Sequence, residues 1–184
     1  MATPGPSPTG LLFYGLTAPR QELSLIEEVS KKIQSHRGEL LAELEPFSFS
    51  DLTDYYAKEM GEDLVKKFLL FRRPIDLENT AGLKKDSNAL EKLYLSKSAK
   101  SRKINIDPGV LTLFNFCLLT AKGFSHRIYL GEGIYIEVTL RAIRGKLRPL
   151  EWTYPDYKTK NSIDFLEFGR QRLKQIIFSQ NSVE

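Results

Sequence analysis

The sequence predicts one α+β domain. Its core is a ferredoxin-like split β-α-β unit (β-α-β-β-α-β), extended by a C-terminal antiparallel β-meander and a final helix. Three observations predict this. Residues 11–107 read as strand, helix, strand, strand, helix, strand. Residues 134–141 alternate apolar and polar side chains without a break. Residues 161–178 carry an apolar stripe at helical spacing.

Residues 1–9 are rich in Pro, Gly and Ser, which predicts a disordered lead-in to a domain spanning 10–180, with the last few residues from 180 fraying. Residues 11–16 form an apolar run, the first strand. Thr17 is expected to cap a helix over 19–36, where Leu23, Ile26, Val29 and Ile33 recur at three- and four-residue spacing and Gly38 ends the helix. Residues 40–49 read as the second strand and 66–73 as the third, closed by Pro74. Asp76 is expected to cap a helix over 77–95, and residues 103–107 to form the fourth strand.

Asp107, Pro108, Gly109 and Val110 have the form of a type II turn, with Pro and Gly at its centre. The segment 111–122 is apolar all round. Periodicity leaves helix and strand open there, and the reading leans to helix. Gly131, Glu132 and Gly133 read as a three-residue hairpin loop with Leu130 opposite Ile134. That register sets Tyr129 against Tyr135 and Arg127 against Glu137. A second turn at 144–146 returns the chain toward Leu150, before the last helix.

A chain of 184 residues with 41% hydrophobic and 27% charged residues can bury a core without staples. Its single cysteine, Cys117, excludes an intramolecular disulfide and reads as a buried thiol. With no signal peptide discernible, the expected compartment is the reducing cytoplasm. The longest apolar run, 110–121, is shorter than the ~20 residues of a membrane helix, so no membrane association is expected. A net charge of +4 is a weak bias toward polyanions, and the densest basic run, 97–103, holds four basic residues in seven. One Cys and two His exclude a tetrahedral Cys/His zinc site. A GxxxxGK phosphate loop, a GxSxG elbow, HExxH and CxxC are all absent.

Four segments read together: FSDLTDYYAKEMG (49–61), INIDPGVLTL (104–113), HRIYLGEGIYIEVTL (126–140) and WTYPDY (152–157). Through them the chain resembles the bacterial domain-of-unknown-function family number 4416, over about residues 10–178. The resemblance implies no particular chemistry.

Function must therefore be sought in clusters. Asp54 and Tyr55, in DLTDYY at 51–56, can orient a ligand or hold a hard cation; a local turn with the tyrosines as a lid is the plainer alternative. Asn105 and Asp107 share the polar side of the fourth strand, although Asp107 can equally cap its own turn. Arg127 can pair with Glu137 as an exposed ion pair, or clamp an anion if it faces a cleft. His126 is the one plausible imidazole acid or base, His36 reading as a surface residue at a helix end. Tyr154 and Asp156, in WTYPDY, can stack a ring or plug the core. Lys84, Asn88 and Glu91 share a helix face that reads as solvated.

These residues suit a small phosphate-bearing or nucleotide-like ligand in a polar cleft on the sheet, with Mg²⁺ as an accompanying cation. His126 or Asp107 would then move a proton, and Asp54, Tyr55, Arg127, Glu137, Tyr154 and Asp156 would bind. Two alternatives remain. A nucleic-acid-binding module needs exposed aromatics on an open sheet face, and the fourth strand carries none. An interaction protein needs an exposed apolar patch, for which 111–119 is the candidate.

Overall fold

Every side chain from Leu11 to Ala18 is buried, on both faces of its strand, and this places the first strand at the centre of the molecule. The computed structural model describes residue 3 and residues 5–95 and 102–181. The predicted lead-in at residues 1, 2 and 4, most of the basic run 97–103, and the predicted fraying end at 182–184 lie outside the described residues.

The elements in order are β1 (Thr9–Pro19), α1 (Leu23–Arg37), β2 (Leu40–Ser48), α2 (Ala57–Met60), β3 (Leu64–Asp76), α3 (Ala81–Lys92), β4 (Asn105–Leu111), β5 (Asn115–Thr120), β6 (Ile128–Gly131), β7 (Ile134–Ile143), β8 (Lys146–Pro149), α4 (Pro155–Lys158) and α5 (Lys160–Asn181). They form a mixed α+β fold around one eight-stranded sheet. Its order is β2-β3-β1-β4-β5-β7-β6, with β8 also on β7, and every ladder is antiparallel. The connection through α1 passes over β3, and the one through α3 passes over β1.

Two cores follow from the alternation of β1. Leu12, Tyr14 and Leu16 point to one face, where Ile26, Val29 and Ile33 of α1 and Leu83 and Leu90 of α3 cover them. Leu11 and Phe13 point to the other face, where they pack with Phe68, Phe116, Tyr157 and Leu166 and Leu173 of α5. The central strands thus have no open face of the kind a nucleic-acid platform needs.

Several expectations are corrected. Residues 111–122 are not a helix. Leu111 ends β4, a tight turn follows in which the Thr112 hydroxyl accepts from the Phe114 and Asn115 amides, and β5 returns. The segment is apolar all round because strands buried on both faces need no alternation. Residues 107–110 are not a turn either but the middle of β4, with Asp107 opposite Gly15 and Pro108 opposite Tyr14. Thr17 is a strand residue, and α1 begins after a 3-10 turn at Arg20–Glu22. Pro74 pairs with Leu11 inside β3 rather than closing it. Asp76 forms a local turn onto the Glu78 amide, four residues short of α3.

The second hairpin keeps Tyr129 against Tyr135, but a bulge sets Gly131, not Leu130, opposite Ile134. Glu132 and Gly133 both adopt positive φ, the twist that a two-residue hairpin turn requires. Most of the proposed apolar patch is buried, since Leu111, Phe116, Leu118 and Leu119 are core residues, while Phe114 at the turn is exposed.

Candidate functional site

The strands β4 and β5 pair only from Gly109 to Leu111 against Phe116 to Leu118, and then diverge. Gly109 stands at the fork, where a Cβ would lie 2.7 Å from the Cys117 carbonyl oxygen, so only glycine lets the strands approach. Below the fork the edge of β4 has no strand beside it. Two side chains of α3 take the strand's place: Glu91 Oε1 accepts from the Ile106 amide at 2.7 Å, and Lys84 Nζ donates to the Ile106 carbonyl at 2.7 Å. Ile106 thus turns its polar groups to the open side, and by alternation so does Pro108. Its missing N–H costs the β1–β4 ladder nothing. The Lys84–Asn88–Glu91 face, expected to be solvated, is therefore corrected: Lys84 and Glu91 are buried.

The gap between the diverging strands is a cavity of about 130 Å³. Its floor follows from register. Asn105 opposes Thr17 and Asp107 opposes Gly15, so both point to the α5 face, beside Lys66 of β3. Gly15 keeps this floor open: a Cβ there would sit 3.0 Å from Lys66 Cε and 3.1 Å from the Tyr157 hydroxyl. Lys66 is 3% exposed. Its Nζ donates to Asp156 Oδ2 at 2.7 Å, lies 3.8 Å from Asp107 Oδ2, and rests over the ring of Tyr157. Burial alone would raise the Asp107 pKa, but Lys84, Lys66, the Asn105 amide and Arg102 together hold it below the ordinary carboxylate value.

Arg102 ties the roof to the floor. It grips both Glu59 oxygens, at 2.6 and 3.0 Å, and donates from Nη1 to Glu91 and Asn105 at 2.8 Å. It thereby holds the 51–60 loop, with Tyr55 and Tyr56, over the cavity. The opposite wall is β7. Glu137 Oε2 accepts from Arg127 Nε at 2.7 Å and from His126 Nε2 at 3.1 Å. Arg127 also donates to the Lys122 carbonyl and, at 2.7 Å, to the Tyr154 hydroxyl. Of the two alternatives for the Arg127–Glu137 pair, an exposed pair and one facing a cleft, the exposed one is excluded: its side chains are only 8% and 2% exposed. Burial drives the phenols of Tyr56, Tyr154 and Tyr157 upward in pKa, so all three stay protonated at neutral pH.

Two residues of this lining each hold a buried polar atom with no hydrogen-bond partner among the described residues: Glu137, at Oε1, and Tyr157, at its hydroxyl. Both residues are buried. A buried polar atom left unsatisfied costs ~1–3 kcal/mol. Two further buried hydroxyls, of Thr17 and Thr139, also lack partners, but neither residue lines the cavity.

Of the residues singled out in the sequence, Tyr55, Asp107, Arg127, Glu137, Tyr154 and Asp156 come together in this lining. Asp54 and His126 do not. Asp54 is exposed, in a loop shaped by the Thr53 hydroxyl accepting from the Tyr55 amide. His126 stacks on Trp152 at 5.0 Å and reaches only the Glu137 oxygen that Arg127 already holds. Lys66 and Arg102 were missed, and Lys84 was read as solvated although it lines the cavity. The signal for Lys66 was present, since Lys66 and Lys67 interrupt an apolar strand where a solvated lysine has no place. Among the described residues no group of three or more His, Cys, Asp or Glu is placed to hold a metal ion, and no helix is long and apolar enough to cross a membrane.

A mixed α+β domain with a buried, charge-lined cleft at a strand fork is the class that fold and site define. The chain belongs to the family described as Domain of unknown function (DUF4416), whose model matches residues 8–173. No curated protein and no solved structure matches it.

Proposed function

We propose that the chain binds a small phosphate-bearing or nucleotide-like ligand in the cleft between β4 and β5. The observation that carries this reading is the pair of unpartnered buried atoms, Glu137 Oε1 and the Tyr157 hydroxyl, in one cavity with Arg127 and Lys66. Arg127 uses three of its five N–H donors on Glu137, Lys122 and Tyr154, which leaves two for an acceptor atom of the ligand. Lys122, at the mouth, adds a solvated cation. Tyr55, Tyr56 and Tyr154 supply aromatic faces for a ring. Mg²⁺ would enter as the counter-ion of the ligand's phosphate. If a reaction follows binding, Asp107 is better placed than His126, because it lines the cavity.

The scaffold supports the same reading. The order β2-β3-β1-β4 with α1 and α3 as crossovers is that of a ferredoxin-like split β-α-β core, and we read residues 9–111 as such a core. The β5–β8 meander then extends its sheet and creates the fork.

Thermal melting with a panel of nucleotides, inorganic phosphate and pyrophosphate, with and without Mg²⁺, tests the proposal. A ligand at 100 times its Kd adds ~2.7 kcal/mol, which for a domain of this size raises Tm by ~5–10 °C. A flat response to every compound removes the proposal.

A further inference from the structure

We infer, building on that reading, that the ligand enters ring first: a planar heteroaromatic group bearing an amino or ring N–H donor sits against Glu137 and Tyr157, and its phosphate stays at the mouth beside Lys122.

The argument is one of charge, polarity and size. Each cation in the inner lining already has its carboxylate. Lys66 has Asp156 at 2.7 Å, Lys84 has Asp107 at 3.6 Å, Arg102 has Glu59 and Glu91 at 2.6 and 2.8 Å, and Arg127 has Glu137 at 2.7 Å. A phosphate monoester brings about 1.5–2 negative charges at neutral pH. Set inside, it would stand uncompensated among buried carboxylates, and a buried charge needs a partner. The inner atom that lacks a partner, Glu137 Oε1, is itself an acceptor on an anion. It repels phosphate and takes an N–H. The Tyr157 hydroxyl, kept protonated by burial and by the charges of Asp156 and Asp107, can donate to a ring nitrogen or carbonyl.

At the mouth the balance reverses. Lys122 is the lining cation that makes no ion pair within 4 Å among the described residues. Its Nζ donates to the Tyr55 hydroxyl at 3.2 Å and lies over the Tyr55 ring. An exposed ammonium anchored on one neutral group is free to meet a phosphate oxygen. Size agrees. An engineered cavity of ~150 Å³ takes one benzene, so about 130 Å³ holds no more than the six-membered edge of a base and leaves sugar and phosphate outside.

The test is calorimetric titration of the full chain with nucleosides carrying an amino group (adenosine, guanosine, cytidine), their 5′-monophosphates, and inorganic phosphate. At least one nucleoside is expected to bind, its monophosphate about fivefold more tightly, and inorganic phosphate alone more than tenfold more weakly than the monophosphate. Lys122→Gln, a surface change, is expected to bring the monophosphate to the affinity of its nucleoside and to leave the nucleoside within twofold. Glu137→Gln is expected to weaken both about tenfold or more. Inorganic phosphate matching the nucleotides while nucleosides stay silent, or an unchanged phosphate increment in Lys122→Gln, overturns the ring-first orientation and leaves the proposed function standing. Absence of binding by every compound overturns both.

Discussion

Lys66→Met is the substitution most sensitive to how the cleft is built. The side chain of Lys66 is 3% exposed and that of Asp156 1%, and their atoms meet at 2.7 Å. The methionine fills a similar volume, so the van der Waals contacts with Phe49, Phe68 and Tyr157 are largely kept. What is lost is the charge. Asp156 remains buried without its cation, and Asp107 keeps only Lys84 within ion-pair range, at 3.6 Å. Breaking a buried pair from one side costs ~3–5 kcal/mol. For a domain of this size each kcal/mol is worth ~2–4 °C, so Tm should fall by ~6–20 °C. Urea denaturation followed by circular dichroism measures the free energy directly. The double variant Lys66→Met, Asp156→Leu should recover most of the loss, because replacing both members of a buried pair by apolar groups is often neutral. A single variant within ~1 kcal/mol of the parent, or a double variant that recovers nothing, would refute the buried-pair account.

Three further predictions concern the same region. The folded-state pKa of Asp107 lies below its unfolded value of ~3.9, so its contribution to stability is full above about pH 5 and is lost as pH falls through the lower folded value. The gap in urea midpoint between the parent and Asp107→Asn should therefore be present at pH 7 and narrow as pH falls below about 4. Gly109→Ala puts a Cβ against the Cys117 carbonyl oxygen and should cost ~1–3 kcal/mol by urea melts, because backbone rather than a flexible side chain must move. Burial first, and then the charge of Glu137, pushes the Cys117 thiol up to about 12. A thiol reagent at pH 8 should thus label the native chain only as fast as it opens, and the urea-unfolded chain at once.

The parts of the fold legible in the sequence were those set by local pattern. The alternation of Ile134, Ile136, Val138 and Leu140 places β7, although Glu137 and Thr139 on its polar face are buried too, and the spacing of Ile26, Val29 and Ile33 places α1, because that helix buries one face against the sheet. Local pattern failed where long-range packing decides. Pro108 and Gly109 carry the signature of a turn, yet stand in β4. The proline faces the open side of the fork and the glycine lets β5 approach, and neither circumstance can be read from neighbours in sequence.

The candidate site divides in the same way. Arg127 and Glu137 were found together because a hairpin register joins them. Lys66 and Asp156 lie 90 residues apart, and Lys84 meets the Ile106 carbonyl 22 residues away, so their pairing is a consequence of the tertiary fold. His126 stood out for its rarity, which is chemical interest without position. In the fold it stacks on Trp152, outside the cavity lining.

A crystal structure of the chain grown with the tightest-binding nucleotide from the melting panel tests the central claim most directly. Density for a ring between β4 and β5, within hydrogen-bond distance of Glu137 Oε1 and the Tyr157 hydroxyl, is the predicted result. A nucleotide bound elsewhere, with those two atoms still unpartnered and the cleft unchanged, would contradict it.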